Sequence, residues 1–121
     1  MRKFMVILHQ DPARFRDLPA DQMRQVFAKY QAWADKVRAS NRYVVSDKLA
    51  EEGGRVMTLQ GGRPKVIDGP YAEAKEVVAG YFTILAEDYD DAVNMVRDCP
   101  HINYGGRIEI RQTDPTGCGP H

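Results

Sequence analysis

Phe4-Met5-Val6-Ile7-Leu8 is apolar without alternation, the pattern of a strand covered on both faces, and it predicts a central strand over residues 3–9. After a polar connection containing Asp11-Pro12, apolar residues return at intervals of three and four: Met23, Val26, Phe27, Tyr30, Trp33, Ala34 and Val37. That spacing places them along one side of a helix, with Pro19 in its first turn, Ser40-Asn41 at its end and Trp33 in the core. Tyr43-Val44-Val45 reads as a short strand and Arg55–Gln60 as another, and Gly61-Gly62 reads as a tight hairpin turn leading into Pro64-Lys65-Val66-Ile67. Gly80–Ala86 is a further strand, again apolar on both faces. Asp88 stands where an N-cap belongs, and Asp90 and Asp91 favour the positive start of a second helix. Ala92, Val93 and Val96 give that helix a buried stripe before Pro100 stops it. In residues 107–112, Ile108 and Ile110 alternate with Arg107, Glu109 and Arg111, which predicts a strand with one dry and one wet face near a sheet edge.

The order strand, helix, strands, strand, helix, strand predicts an α+β fold in which two helices cover one face of a sheet. The other face also needs cover, and a second subunit packed sheet to sheet is the simplest one, so a homodimer is expected. A chain of 121 residues is the size of one domain able to bury a core without disulfides or metals. A single domain over residues 1–121 is therefore expected, with the stretch from about 114 to 121 as a flexible tail.

Lysine plus arginine and aspartate plus glutamate both number 17, so no net field steers the chain toward nucleic acid or an anionic membrane. No RNP-like aromatic and basic strand is present, and neither nucleic-acid nor membrane partners are expected. Cys99 and Cys118 form no C-x-x-C pair and read as reduced thiols of a cytosolic protein. The basic start Arg2-Lys3 precedes an apolar run broken by His9, Gln10 and Asp11, which argues against a signal peptide, and no segment reaches transmembrane length. Nucleotide-binding glycine loops, H-E-x-x-H and paired cysteine ligands are missing, and no metal or cofactor is expected.

Chemistry concentrates in Asp68-Gly69-Pro70-Tyr71-Ala72-Glu73-Ala74-Lys75-Glu76. Asp68, where a strand meets a Gly-Pro turn, either caps the turn through its carboxylate or faces a cleft as a general base. Glu73, Lys75 and Glu76 suit contacts to a charged ligand, or else form a solvated, mutually paired run. Tyr71 and Tyr81 offer an aromatic wall with a hydroxyl. His9, at the end of the first strand, is the foremost acid/base candidate by residue type, ahead of the loop residue His101.

The motif Asp-Gly-Pro-Tyr followed by Ala-Glu-Ala-Lys-Glu and Gly80-Tyr81-Phe82 resembles the signature of the YCII-related family, in its DGPF-type branch, with Tyr71 in place of the usual Phe. The resemblance extends to the opening Lys3-Phe4-Met5-Val6, to Asp88-Tyr89-Asp90-Asp91-Ala92 and to the closing Gly106–Arg111 strand. It implies a ferredoxin-like protomer, a dimeric α/β-barrel arrangement and a small-molecule ligand held in a cleft between sheet and helices. It further implies either acid/base chemistry of the lyase or isomerase kind on a small cyclic metabolite, or a non-catalytic ligand-binding or regulatory module linked to sigma-factor-dependent transcription. Some YCII-related proteins carry a His-Asp pair with the histidine on the first helix, but residues 10–100 of this chain contain no histidine. Only Asp68, Gly69 and Pro70 carry over, so an enzyme mechanism needs His9, a tyrosine or Lys75 as the partner of Asp68; the catalytic pair expected here is Asp68 with His9, with Tyr71, Glu73, Lys75, Glu76 and Tyr81 as ligand contacts.

Overall fold

In the computed structural model, which describes residues 1–69 and 75–117, the chain runs β1 (Arg2–Gln10), α1 (Ala20–Ala39), β2 (Tyr43–Lys48), β3 (Arg55–Gln60), β4 (Arg63–Asp68), β5 (Val77–Ala86), α2 (Tyr89–Val96) and β6 (Arg107–Gln112). A short 3-10 helix, Pro100–Tyr104, precedes β6. Four strands form one sheet in the order β2-β5-β1-β6, every neighbouring pair antiparallel, which is the ferredoxin-like topology expected. No helix among the described residues is long and apolar enough to cross a membrane.

Strand alternation divides the side chains between the two faces. Phe4 pairs with Ile84 and Val6 with Phe82, and all four point toward the helices, where they are buried against Val37, Ala92 and Val96. Met5, Ile7 and His9 on β1 and Tyr81, Thr83 and Leu85 on β5 take the opposite face, together with Arg107, Glu109 and Arg111 on β6. The two-sided burial expected of β1 and β5 therefore holds on the helix side, while Met5, Ile7, Tyr81 and Leu85 are only half-buried in the single chain. Asp88 caps α2 as predicted, its Oδ1 accepting from the Asp91 N–H at 2.8 Å. Val93 is exposed, so the buried stripe of α2 narrows to Ala92 and Val96. Helix α2 ends at Val96, and Pro100 opens the 3-10 helix, where a missing N–H costs nothing.

The β3–β4 hairpin forms a separate two-stranded sheet, turned by Gly61 and Gly62 at φ +58° and +77°, the left-handed pair a tight hairpin needs. Every residue of both strands is exposed. One of its faces is apolar, with Met57 opposite Val66 and Leu59 opposite Pro64, while the other carries Thr58 with Lys65 and Gln60 with Arg63 toward the tip. At its base Gly69 donates to the Gly54 carbonyl at 3.1 Å. There Gly53 and Gly69 pass so close that a Cβ on either would run into the other's carbonyl, so both positions demand glycine.

Trp33 lies edge-on to Phe82 with ring centroids 5.0 Å apart and donates its indole N–H to Asp98 at 3.0 Å, but it is half-buried, not enclosed. Replacing it with Ala is expected to cost about 3 kcal/mol, the lower end for a large aromatic because part of its surface is already wet. A urea midpoint equal to that of the parent would show that this packing contributes nothing.

Candidate functional site

His9 stands where the register between β1 and β5 slips by one residue, between Leu8 and His9, and such a bulge re-aims the side chains beside it. Its ring lies on the helix-free face of the sheet with the side chain only 13% exposed. Nε2 sits 2.8 Å from Glu109 Oε1, and since a carboxylate can only accept, this ring nitrogen is the donor. That bond is the largest influence holding the Glu109 carboxyl below its usual range. Nδ1 faces Glu76 Oε1 at 3.6 Å, beyond a hydrogen bond. Glu76 is in turn gripped by Arg107 through contacts of 2.7 and 3.0 Å, which depress its pKa and hold its carboxylate in place. Arg111 approaches the other oxygen of Glu109 at 3.4 Å.

Tyr81 lies on the same face, opposite Ile7, and donates its hydroxyl to Asp47 Oδ2 at 2.7 Å. This bond to a carboxylate raises the Tyr81 pKa and keeps the phenol protonated. Of the expected site residues, the fold thus brings His9 and Glu76 together and sets Tyr81 on their face. Lys75 is exposed beside Glu76. Asp68 is elsewhere: at the end of β4 it is exposed and faces Arg55 at 3.3 Å, the setting of a surface ion pair across the hairpin. Tyr71 and Glu73 lie outside the described residues.

Sequence reasoning passed over Glu109 as the histidine's partner. The signal was present in the alternation of Arg107, Glu109 and Arg111, since the wet face of an edge strand paired with β1 must border the end of β1. It also assigned His101 to an ordinary loop. His101 is 2% exposed, and its Nε2 donates to the His9 carbonyl at 2.7 Å while its Nδ1 accepts at 3.0 Å from Tyr30 Oη, with Arg14 Nη1 at 3.2 Å. Burial lowers the His101 pKa, so the ring is neutral, and burial likewise raises those of Tyr30 and Cys99. The ring fits only because Gly106 has no side chain, for a Cβ there would strike it.

The YCII-related domain profile matches residues 2–114. The chain belongs to the YCII-related family. An uncharacterised protein of Rhizobium meliloti (strain 1021) is 31% identical over 85 residues, which cover 64% of this chain and 68% of that relative. Within this YCII-related protein, the carboxylate that meets a histidine comes from the last strand, and the histidine from the first.

A buried neutral histidine makes stability depend on pH. Because the folded-state pKa of His101 lies below its ordinary value of 6.5, the unfolded chain takes up a proton that the folded chain refuses, so stability is full above that value and falls as the pH drops below it. The melting temperature is expected to decline between about pH 7 and about pH 5, and His101→Asn should flatten that segment while lowering the whole curve. Parent and variant curves of identical shape would contradict a neutral buried ring.

Proposed function

We propose that this protein is a DGPF-type YCII-related homodimer that performs acid/base chemistry, of the lyase or isomerase kind, on a small cyclic metabolite at the helix-free face of its sheet. The arrangement of His9 carries this reading. A ring whose Nε2–H is fixed by Glu109 presents Nδ1 as a base of defined tautomer, and Glu109 stabilises the imidazolium formed when a proton arrives. Tyr81, kept protonated by Asp47, supplies a hydroxyl donor on the same face, and the Arg107 guanidinium beside Glu76 supplies charge for a developing oxyanion. Lys75 and Glu76 follow the motif loop and suit ligand contacts, and Tyr71 and Glu73 belong to the same proposed set. Asp68, exposed and paired with Arg55, serves the hairpin base in this reading and leaves the histidine's carboxylate role to Glu109.

Two unpartnered apolar surfaces support the dimer: the half-buried sheet face of Met5, Ile7 and Leu85, and the hairpin stripe of Met57 and Leu59, which are 68% and 74% exposed. A second copy covers both through one two-fold axis and shields the His9 cluster from water. Sedimentation equilibrium at micromolar concentration is expected to give a dimer, and a folded monomer there would remove this support.

The chemistry is tested by a thermal-shift screen against a metabolite library, followed by incubation of each hit in deuterated water. The wild type is expected to incorporate deuterium at the acidic position. His9→Gln should slow exchange by about 10²-fold or more and Glu109→Gln should slow it less, while Asp68→Asn changes neither exchange nor binding. Hits that bind His9→Gln unchanged and never exchange would favour the second reading, a non-catalytic ligand-binding or regulatory module. That reading draws on the closure of the His9, Glu109, Glu76, Arg107 and Arg111 charges into a single paired network.

A further inference from the structure

A hollow of about 520 Å3 lies between the connection over residues 11–18, the first half of α1 and the end of the 3-10 helix. No strand lines it, which sets it apart from any cleft between sheet and helices. Asp21, Gln25 and Lys29 follow one another at intervals of four along α1 and so line it as one stripe. The helical rise puts Asp21 about 12 Å from Lys29 along the axis, at the opposite end of that stripe.

The charges around this hollow do not balance. Arg14 and Lys29 bring two cations and Asp21 one carboxylate, and neither cation is in an ion pair among the described residues. Aromatic rings hold them instead. The Arg14 guanidinium carbon stands 4.4 Å from the centre of the Phe15 ring and Lys29 Nζ 5.7 Å from that of Tyr104, and the two rings meet edge to face with centroids 6.2 Å apart. Arg14 also donates to Tyr30 Oη at 2.8 Å and to His101 Nδ1 at 3.2 Å, two neutral groups that orient the guanidinium without cancelling its charge. Its Nε–H is buried with no acceptor among the described residues, an arrangement that favours any added acceptor. An oxyanion entering here would meet two cations whose positions are already set, so little side-chain freedom is lost on binding.

We propose that this hollow is a second ligand site, separate from the His9 cluster, which takes a small ring-bearing oxyanion, a carboxylate or a phosphate monoester. Its anionic group lies between Arg14 and Lys29 and its ring against Phe15 and Tyr104. Titration of the isotope-labelled protein with benzoate, phenyl phosphate, benzyl alcohol and benzylamine, followed through the backbone amide resonances, tests this. Benzoate or phenyl phosphate is expected to shift the Gln25, Lys29 and Tyr104 amides saturably, the tighter binder naming the anionic group, while the alcohol and the amine bind at least about tenfold more weakly. Lys29→Gln, at an exposed position that folding does not need, should weaken anion binding about fivefold, and raising the salt to about 0.5 M should weaken it as well. Asp21→Asn, which removes the carboxylate from the stripe, should strengthen it. His9→Gln should leave it unchanged, which separates failure here from failure of the acid/base reading. Equal affinity for the charged and uncharged compounds, unaltered affinity in the Lys29→Gln protein, or shifts confined to residues of the sheet would overturn the proposal.

Discussion

The pleat of β1 obliges nine residues to serve two surfaces at once. Hydrogen-bonded to β5 on one side and β6 on the other, β1 cannot slide, because a shift of one residue would turn Phe4 and Val6 out of the core and bring Met5 and Ile7 in. With the register fixed, the side chain of His9 falls on the helix-free face, beside the residues that β6 presents there. The bulge at Leu8/His9 ends this strict alternation at the point where the acid/base cluster begins. It also leaves the His9 carbonyl to be met from the other face, by His101.

Where a pattern in the sequence depended on local chemistry, it survived folding. The three- and four-residue spacing of α1, the Asp88 cap and the glycine pair of the hairpin each follow from interactions within a few residues, and each appears as expected. Patterns that depended on distant partners translated less well. An unbroken apolar run at residues 4–8 is compatible with two covered faces, yet one chain supplies cover for only one of them. Trp33 and Phe27 share the helical face of Val37, but of the three only Val37 is enclosed, while Trp33 packs half-buried against the core and Phe27 stays exposed. Proximity in sequence also misled: Asp68 and Glu76 share one motif, but the hairpin carries Asp68 away from the sheet while β5 returns Glu76 to the end of β1.

A zero net charge conceals a segregated distribution. On the helix-free face every ionised group of the cluster has an opposite partner within about 4 Å, so the charges remain without a large field and can be rearranged at modest cost when a ligand replaces one of them. Around His101 the same economy is reached largely by neutrality: His101 gives up its proton, Tyr30 and Cys99 keep theirs, and Arg14 brings a charge shared between Tyr30 and His101. The hydrogen bond from His101 Nε2 to the His9 carbonyl joins these two electrostatic regimes through the backbone of one residue. That bond requires the Nε2–H tautomer, and the tautomer is secured because Nδ1 is occupied by Tyr30 and Arg14 as an acceptor. The position of the proposed base is thus held by a ring that cannot itself act as one, since both of its nitrogens are already engaged.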